Sequence, residues 1–116
     1  MITTVSSGTE VLKALADPVR WQIVCQMAMV DELARNTLED TLPVSKPTIS
    51  YHTKLLIQAG LVDVRKEGRN SYYTLRRRVL RELMDELRTL APGSRPVQHA
   101  PARVDAAGRE LVLLTW

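Results

Sequence analysis

Small hydrogen-bonding side chains and lysines recur between residues 45 and 54, and their chemistry suits contact with a nucleic acid. Hydroxyl and other short polar groups can pair with base edges in the major groove of DNA, and ammonium groups can bind phosphates. The stretch also fits an ordinary amphipathic surface helix, and by itself it favours neither interpretation. The polar positions on this face are Ser45, Lys46, Thr48, Ser50, Tyr51 and Lys54.

The same stretch carries the start and stop signals of a helix. Ser45 can cap the first turn, and Pro47 lies inside that turn, where its missing N–H is not needed. Gly60 follows the last turn and can adopt the left-handed conformation that ends a helix. The residues at helical spacing that predict the buried stripe are Ile49, Leu55, Leu56 and Ala59.

Residues 60–75 predict a β-hairpin directly after this helix. Two short strands flank a Gly68-Arg69 turn, and Arg65, Lys66 and Arg69 are expected near its tip. A capped helix followed by a basic hairpin is typical of a winged helix-turn-helix, in which the helix enters a groove and the wing lies along the backbone or the minor groove. The residues expected to point inward are Val62, Val64, Tyr72 and Leu75.

Each polar residue therefore receives a predicted role on DNA. Lys46, Thr48, Ser50 and Tyr51 are expected at base edges. His52 is predicted on the helix surface near DNA, and a hydrogen-bonded structural histidine is the open alternative. The residues expected at the backbone or the minor groove are Ser45, Lys54, Arg65, Lys66 and Arg69.

Three segments of the chain resemble the arsenic- and metal-sensor repressors of the ArsR/SmtB family. They are LKALADPVRWQIV (12–24), LPVSKPTISYHTKLLIQAGLV (42–62) and RKEGRNSYYTL (65–75), and they occur in this order over most of residues 10–90. The resemblance implies a winged helix-turn-helix regulator that dimerises through its first and last helices. It also places Arg20 in a D-P-x-R signature, where the arginine is mostly structural.

Charge is distributed unevenly along the chain, and the positive part coincides with the predicted reading helix and wing. The net charge of the 116 residues is +3, but residues 45–81 carry nine basic and two acidic groups, a net +7. A field placed in this way favours phosphate binding that is independent of sequence. A solvated basic face without a partner is the alternative.

Length and composition predict one globular domain with a modest core. No apolar run approaches the ~20 residues needed to cross a bilayer, and residues 1–8 lack the pattern of a signal peptide. A single cysteine excludes an internal disulfide. We therefore expect a cytoplasmic protein with no membrane association.

The remaining pattern predicts a mainly α fold of about five helices with a two-stranded wing, over residues 1–90. Helices are expected at 10–16, from an Asp17-Pro18 start, at 37–40 with Thr37 as cap and Leu38 inside, and at 75–90. Val19, Ile23, Val24 and Met27 are expected in the core. Residues 91–116 predict a Pro/Ala-rich linker or tail that ends in the apolar segment RELVLLTW (109–116).

Two apolar stripes exceed what one small domain can bury, and exposed stripes of that size usually bind a partner. In the resembling family the first and last helices form the two-fold interface. A dimer would place two reading helices about one DNA turn, ~34 Å, apart and would favour an inverted-repeat operator. The residues expected at the interface are Val11, Leu12, Leu15, Leu80, Leu83, Met84, Leu87 and Leu90.

The usual metal ligands of the resembling family are missing. Residues 30–41 contain no cysteine, and residues 75–90 contain Glu82, Asp85 and Glu86 but no histidine. A tight transition-metal site needs three or four such ligands, so no metal residue is assigned, although a dimer could pool His99 with carboxylates. Cys25, Met27, Met29 and Met84 are expected to fill core space rather than bind metal.

The sequence therefore predicts a homodimeric, sequence-specific DNA-binding transcription regulator, with repression favoured by the resemblance. No catalytic arrangement or Gly-rich phosphate loop is present, so an enzyme is not expected. Three alternatives stay open. The first is a metal- or thiol-responsive sensor, the second a regulator that takes its signal from a second protein through the tail, and the third a winged helix that binds only protein.

Overall fold

The computed structural model describes residues 8–93, and within them five helices surround a small antiparallel sheet. The elements in chain order are α1 (Gly8–Leu15), α2 (Pro18–Ala28), β1 (Leu33–Ala34), α3 (Arg35–Thr41), α4 (Lys46–Gln58), β2 (Val62–Glu67), β3 (Asn70–Leu75) and α5 (Arg77–Leu90). The architecture is a winged helix-turn-helix, as the sequence predicts. The expectations for the tail, for His99 and for residues 1–7 lie outside the described residues.

Capping residues begin α2 and α4 as predicted. The Asp17 carboxylate accepts from the backbone N–H groups of Val19 and Arg20, at 2.9 and 3.1 Å. Ser45 Oγ accepts from the N–H of Thr48 at 3.3 Å, and a proline follows each cap inside the first turn. Gly60 has φ 81°, so the left-handed residue expected after α4 is present.

The sheet has three strands, because a short strand precedes the helix-turn-helix and pairs with the hairpin. Leu33 and Ala34 lie opposite Tyr73 and Tyr72, so β3 is the central strand and the strand order is β1–β3–β2. The prediction of a two-stranded wing was therefore incomplete. A two-residue strand has no periodicity of its own, and only its pairing with β3 defines it.

Tyr73, rather than Tyr72, is the inward tyrosine of the wing, so this part of the prediction was wrong. Val62 is paired with Leu75 and Val64 with Tyr73, which places these four side chains on one face. Val64 lies beyond the edge of the core and is 39% exposed, although it was also expected inside. Tyr73 is buried and Tyr72 is half-buried. The reason is the two-residue period of a strand: residues 72 and 75 are three apart and must point to opposite faces.

The core lies where α2, α3, α4 and the sheet meet. Ile23, Leu38, Ile49, Leu56 and Leu61 are fully enclosed there. Leu38 packs inward as predicted, but α3 begins at Arg35, earlier than the expected Thr37 start, and Ala34 provides no side-chain cap. The positioning helix is thus held by its packing and its contacts with α4 rather than by a local capping signal.

Three expected core positions are at the surface instead, namely Cys25, Met29 and Met84. Leu12, which was expected at a dimer interface, is 43% exposed. Met27 alone among the three methionines considered is buried. On α2 the buried residues Ile23, Val24 and Met27 occupy one side, and the helical repeat turns Cys25 to the other side.

Candidate nucleic-acid interface

The outward face of α4 presents polar side chains and cations. Lys46, Ser50, Tyr51 and Lys54 are exposed, whereas Ile49, Thr53 and Leu56 point into the domain. The Thr53 hydroxyl donates back to the Ile49 carbonyl at 2.9 Å, which satisfies that buried polar group. This face can offer hydrogen-bond donors, acceptors and positive charge to a duplex.

Ser45 and Thr48 are already hydrogen-bonded to each other at the start of α4. Their hydroxyl oxygens lie 2.9 Å apart, and Ser45 Oγ also caps the helix. Both side chains remain accessible, with Thr48 half-buried. The first-turn N–H groups and Lys46 lie at the same end, which is where a phosphate is attracted to a helix.

His52 lies inside the protein, so its predicted place on the helix surface was wrong. It is 8% exposed, and its Nδ1 lies 3.0 Å from the Arg20 Nη1 and 3.8 Å from the Asp17 Oδ2. When the ring is neutral, acceptance from Arg20 by Nδ1 leaves the ring proton on Nε2. The hydrogen-bonded structural histidine, the other alternative from the sequence, is what the structure contains.

Arg20, on α2, joins the end of α1 to the reading helix α4. Its Nε donates to the Ala14 carbonyl at 2.7 Å, and its Nη2 donates to the Lys13 carbonyl at 3.4 Å. These acceptors are at the end of α1, while His52 is on α4. The structural role that the resemblance implies for Arg20 is confirmed, and the guanidinium is turned away from the outward face.

Asp17 belongs to the same junction and stays ionised more readily than a free aspartate. The hydrogen bond from the Arg20 N–H is the main cause that lowers the pKa of Asp17, and the Val19 N–H, His52 and Arg20 charges act in the same direction against partial burial. A charged Asp17 therefore supports the cap of α2 and faces the His52 ring.

Arg35 was not singled out from the sequence, yet it connects both helices of the helix-turn-helix. Its Nε donates to Glu39 Oε2 at 2.9 Å, and its Nη2 donates to the Lys46 carbonyl at 3.1 Å and to Ser50 Oγ at 2.7 Å. Burial acts to lower the pKa of Arg35, but the hydrogen bond to Glu39 and the nearby Tyr73 hydroxyl raise it overall. The only sequence signal was the Arg35–Glu39 spacing of a helical ion pair.

Arg65 is paired with an acidic residue rather than free at the tip of the wing. Its Nε and Nη2 donate to the two Glu32 carboxylate oxygens at 2.9 and 2.8 Å, and its guanidinium carbon lies 4.6 Å from the centre of the Tyr72 ring. The Arg65 hydrogen bonds lower the pKa of Glu32, and Glu32 in turn raises the pKa of Arg65. Arg65 sits three cross-strand pairs from the turn, which contradicts its expected position at the tip.

Lys66 and Arg69 provide the available charge of the wing. Both are exposed, and within residues 8–93 neither forms an ion pair; the same holds for Lys46 and Lys54 of α4. By contrast, Arg76 and Arg78 lie 3.7 and 3.3 Å from the carboxylates of Asp63 and Glu82, and Arg77 donates to the carbonyls of Ala28 and Val30.

The reading helix and the wing border one shallow cavity of about 260 Å³. Ser50 and Lys54 line it from α4, Lys66 and Ser71 from the hairpin, and Arg35 from α3. Lys54 of the helix and Lys66 of the wing therefore border the same surface, which is an arrangement that can contact a groove and the adjoining backbone together. This geometry is that of the winged helix-turn-helix class, whose reading helix and wing bind DNA.

Comparison with known proteins places the chain within that class. Residues 17–64 match the model described as "Bacterial regulatory protein, arsR family". An uncharacterised HTH-type transcriptional regulator of Methanocaldococcus jannaschii is 40% identical over 83 residues, which are 69% of this chain and 93% of the relative. The arsenical resistance operon repressor of Staphylococcus aureus is 32% identical over 77 residues, 66% of this chain and 73% of the relative.

A solved structure shares the fold. HlyU from Vibrio cholerae matches with a TM-score of 0.60 and 32% identity, over 72% of this chain and 89% of that chain. The chain belongs to the ArsR family, a family of transcription regulators, which confirms the resemblance noted in the sequence and the prediction that it is not an enzyme.

Two negative observations apply to the described residues alone. Between residues 8 and 93 no helix is long and apolar enough to cross a membrane. In the same range, no three side chains among histidine, cysteine, aspartate and glutamate come together in a way that could hold a metal ion.

Proposed function

We propose that this chain is a homodimeric, cytoplasmic repressor that binds an inverted-repeat operator. The observation that carries the proposal is the surface that α4 and the wing share, where Ser50 and Lys54 face Lys66 and Ser71 and the two lysines form no ion pair among residues 8–93. α4 enters the major groove, where Lys46, Thr48, Ser50 and Tyr51 contact base edges. Ser45, Lys54, Lys66 and Arg69 contact the backbone or the minor groove.

Arg65 has a smaller part in this proposal than Lys66 and Arg69. Its guanidinium is held by Glu32 and by the Tyr72 ring, so a phosphate would have to compete with an ion pair that already exists. His52 is left out of the DNA contacts, because it is buried. Its hydrogen bond with Arg20 helps to hold α4 against α2.

An uncovered apolar face supports the homodimer. Leu12 of α1 and Met84, Leu87 and Leu90 of α5 are between 42 and 79% exposed. α1 and α5 pack against each other, so the exposed apolar side chains belong to two neighbouring helices. A second copy related by a two-fold axis would bury the same patch on both subunits.

The remaining predicted interface residues have a different role within the subunit. Val11 and Leu83 are buried in the core of their own chain, and Leu15 and Leu80 pack against that core. Val11 and Leu83 therefore cannot contribute much area to a dimer, which corrects the expectation that one continuous stripe is exposed. The proposed interface is narrower: Leu12, Met84, Leu87 and Leu90.

The proposal names repression rather than activation. The relatives include both kinds of regulator, since one is named an arsenical resistance operon repressor and another a transcriptional activator, HlyU of Vibrio cholerae. We favour repression because a dimer on an operator that overlaps a promoter blocks polymerase without needing a contact surface for it.

Selection of bound duplexes from a random pool tests the proposal, with and without added Zn²⁺ or Ni²⁺. We expect one enriched inverted repeat with half-sites about one DNA turn apart. In transcription from a promoter that overlaps this site, added protein should lower the amount of transcript. Failure to retard any duplex at low salt would contradict the proposal and favour a winged helix that binds only protein.

A further inference from the structure

We infer that Arg35 sets the base preference at the DNA position that Ser50 contacts. It does so by holding the Ser50 hydroxyl as a hydrogen-bond donor toward the major groove. This inference rests on the proposed function, because it concerns one base contact of the operator complex. It assigns a specificity-determining role to a residue on the positioning helix that does not itself touch the base.

The geometry at Ser50 leaves its proton available. Arg35 Nη2 donates to Ser50 Oγ at 2.7 Å and occupies one of the two lone pairs of that oxygen. This charge-assisted bond polarises the hydroxyl, which makes it a better donor and its second lone pair a weaker acceptor. Within residues 8–93 no acceptor is in hydrogen-bond contact with the Ser50 hydroxyl. Thr53, on the same helix, differs, because its hydroxyl donates to the carbonyls of Ile49 and Ser50 at 2.9 and 3.2 Å. Ser50 is exposed and can donate outward, whereas Thr53 cannot.

Arg35 is itself held firmly enough to impose this orientation. Glu39 binds its Nε at 2.9 Å, and the Lys46 carbonyl accepts from the same Nη2 that contacts Ser50. The Arg35 and Glu39 side chains are only 24% and 20% exposed. A guanidinium whose charge is balanced by a half-buried carboxylate is a poor phosphate ligand, and its fixed fork suits the positioning of neighbours.

A donor at Ser50 discriminates between bases. Purine N7, guanine O6 and thymine O4 are acceptors in the major groove, whereas cytosine presents only its amino donor there. The remaining lone pair of Ser50 Oγ, weakened by the bound guanidinium, is a poor acceptor for that amino group. We therefore expect cytosine to be disfavoured, on the contacted strand, at the single base position under Ser50.

The test compares base preferences of variants by sequencing duplexes selected from a random pool. Ser50→Ala identifies the position under Ser50, where the wild-type preference against cytosine should fall by about five- to tenfold. Arg35→Met should reduce the preference at that same position and leave other positions unchanged. The double variant Ser50→Ala/Arg35→Met should match Ser50→Ala there, since Arg35 acts through Ser50.

Arg88→Met is the matched control, because Arg88 also pairs with a carboxylate, Asp85 Oδ1 at 2.7 Å, and lies on α5, outside the proposed DNA surface. It should leave the preference at the Ser50 position as in the wild type. Arg35→Leu is the second test variant, in case Arg35→Met fails to fold. It also removes the donor to Ser50 Oγ, and we expect the same relaxed preference.

Several outcomes would overturn the inference. They are a wild-type preference for cytosine at the Ser50 position, an unchanged profile in Ser50→Ala, or a folded Arg35 variant with wild-type preference at that position. In these three cases the protein still binds its operator, so the proposed function stands. Absence of any duplex binding by the wild type would remove both.

Discussion

Tyr51 and His52 are neighbours in the chain, but the structure gives them opposite environments. Tyr51 is 59% exposed on the outward face, and His52 is enclosed beside Arg20, with the two ring centres 5.1 Å apart. One helical step of about 100° is enough to separate a surface position from a buried one. The pair therefore offers a direct test of which residue serves recognition and which serves stability.

His52→Ala should lower the free energy of unfolding by about 1–3 kcal/mol, because it removes the hydrogen-bond partner of Arg20 Nη1 at a half-buried position. Tyr51→Ala should change stability by less than about 0.5 kcal/mol, because it removes an exposed side chain. Urea denaturation measures both. Tyr51→Ala should instead alter the selected operator, and equal loss of stability in the two variants would contradict these assignments.

Asp17 gives a pH dependence whose sign follows from its lowered pKa. Its pKa in the folded protein lies below the ordinary value of 3.8, mainly because the Arg20 N–H binds the charged form. The unfolded chain therefore takes up the proton first on acidification. The stabilisation due to Asp17 is present in full well above pH 3.8 and is lost as the pH falls through the pKa of the folded state.

Asp17→Asn should consequently unfold at lower urea concentration than the wild type at pH 7, and the gap should narrow in acid as the wild-type carboxylate is protonated. Urea melts at a series of pH values measure it. A gap that is constant from pH 7 to acid would mean that the charge of Asp17 contributes nothing and that only its shape matters for the cap.

At the scale of the elements, the hairpin separates its arginines into a paired and an available one. Arg65 is bound to Glu32, which lies directly before β1. Arg69, at the turn, has no ion pair among the described residues. Strand geometry produces this division, since the pairing of β3 with both β1 and β2 brings the chain around Glu32 close to Arg65.

Arg69→Ala should weaken binding to all duplexes alike and reduce the salt slope of the binding constant by about 1, as the loss of one phosphate contact requires. Arg65→Ala should reduce the slope by less, because its charge is already balanced. Binding measured over a range of salt concentrations gives both slopes. If Arg69→Ala keeps the wild-type slope, the wing does not lie on the backbone.

On the scale of the whole molecule, the apolar side of α5 is only partly covered. Leu83 is buried within the subunit, whereas Met84, Leu87 and Leu90, which neighbour it on the same side of the helix, are exposed. The helix is strongly amphipathic, but its apolar side is too wide for one subunit to cover. The uncovered part is what a second copy would bury.

Met84→Glu and Leu87→Glu should shift the protein from dimer to monomer without unfolding it, because they place a charge in the proposed interface. Leu83→Ala should lower stability by about 2–5 kcal/mol, because it opens a cavity in the core of the subunit. Light scattering after gel filtration measures the mass, and urea melts measure stability. A monomeric wild type would contradict the proposed interface.

The sequence by itself determined where most elements begin and end. Asp17 and Ser45 cap their helices, Gly60 ends α4, and Gly68, with φ 62°, lies in the turn between β2 and β3. These signals act between residues a few positions apart, so they are legible without the fold. The order of elements then identified the winged helix-turn-helix and most of its outward polar face.

Only the tertiary structure decided which polar residues are free to act. Three hydrogen-bonded pairs join residues that are far apart in the chain. The separations are 32 residues for Arg20 and His52, 33 for Arg65 and Glu32, and 15 for Arg35 and Ser50. No local pattern encodes such pairs, because each depends on how separate elements pack. For that reason the sequence could place the nucleic-acid surface, while the fold determined which of its charges are already satisfied and which remain available to a duplex.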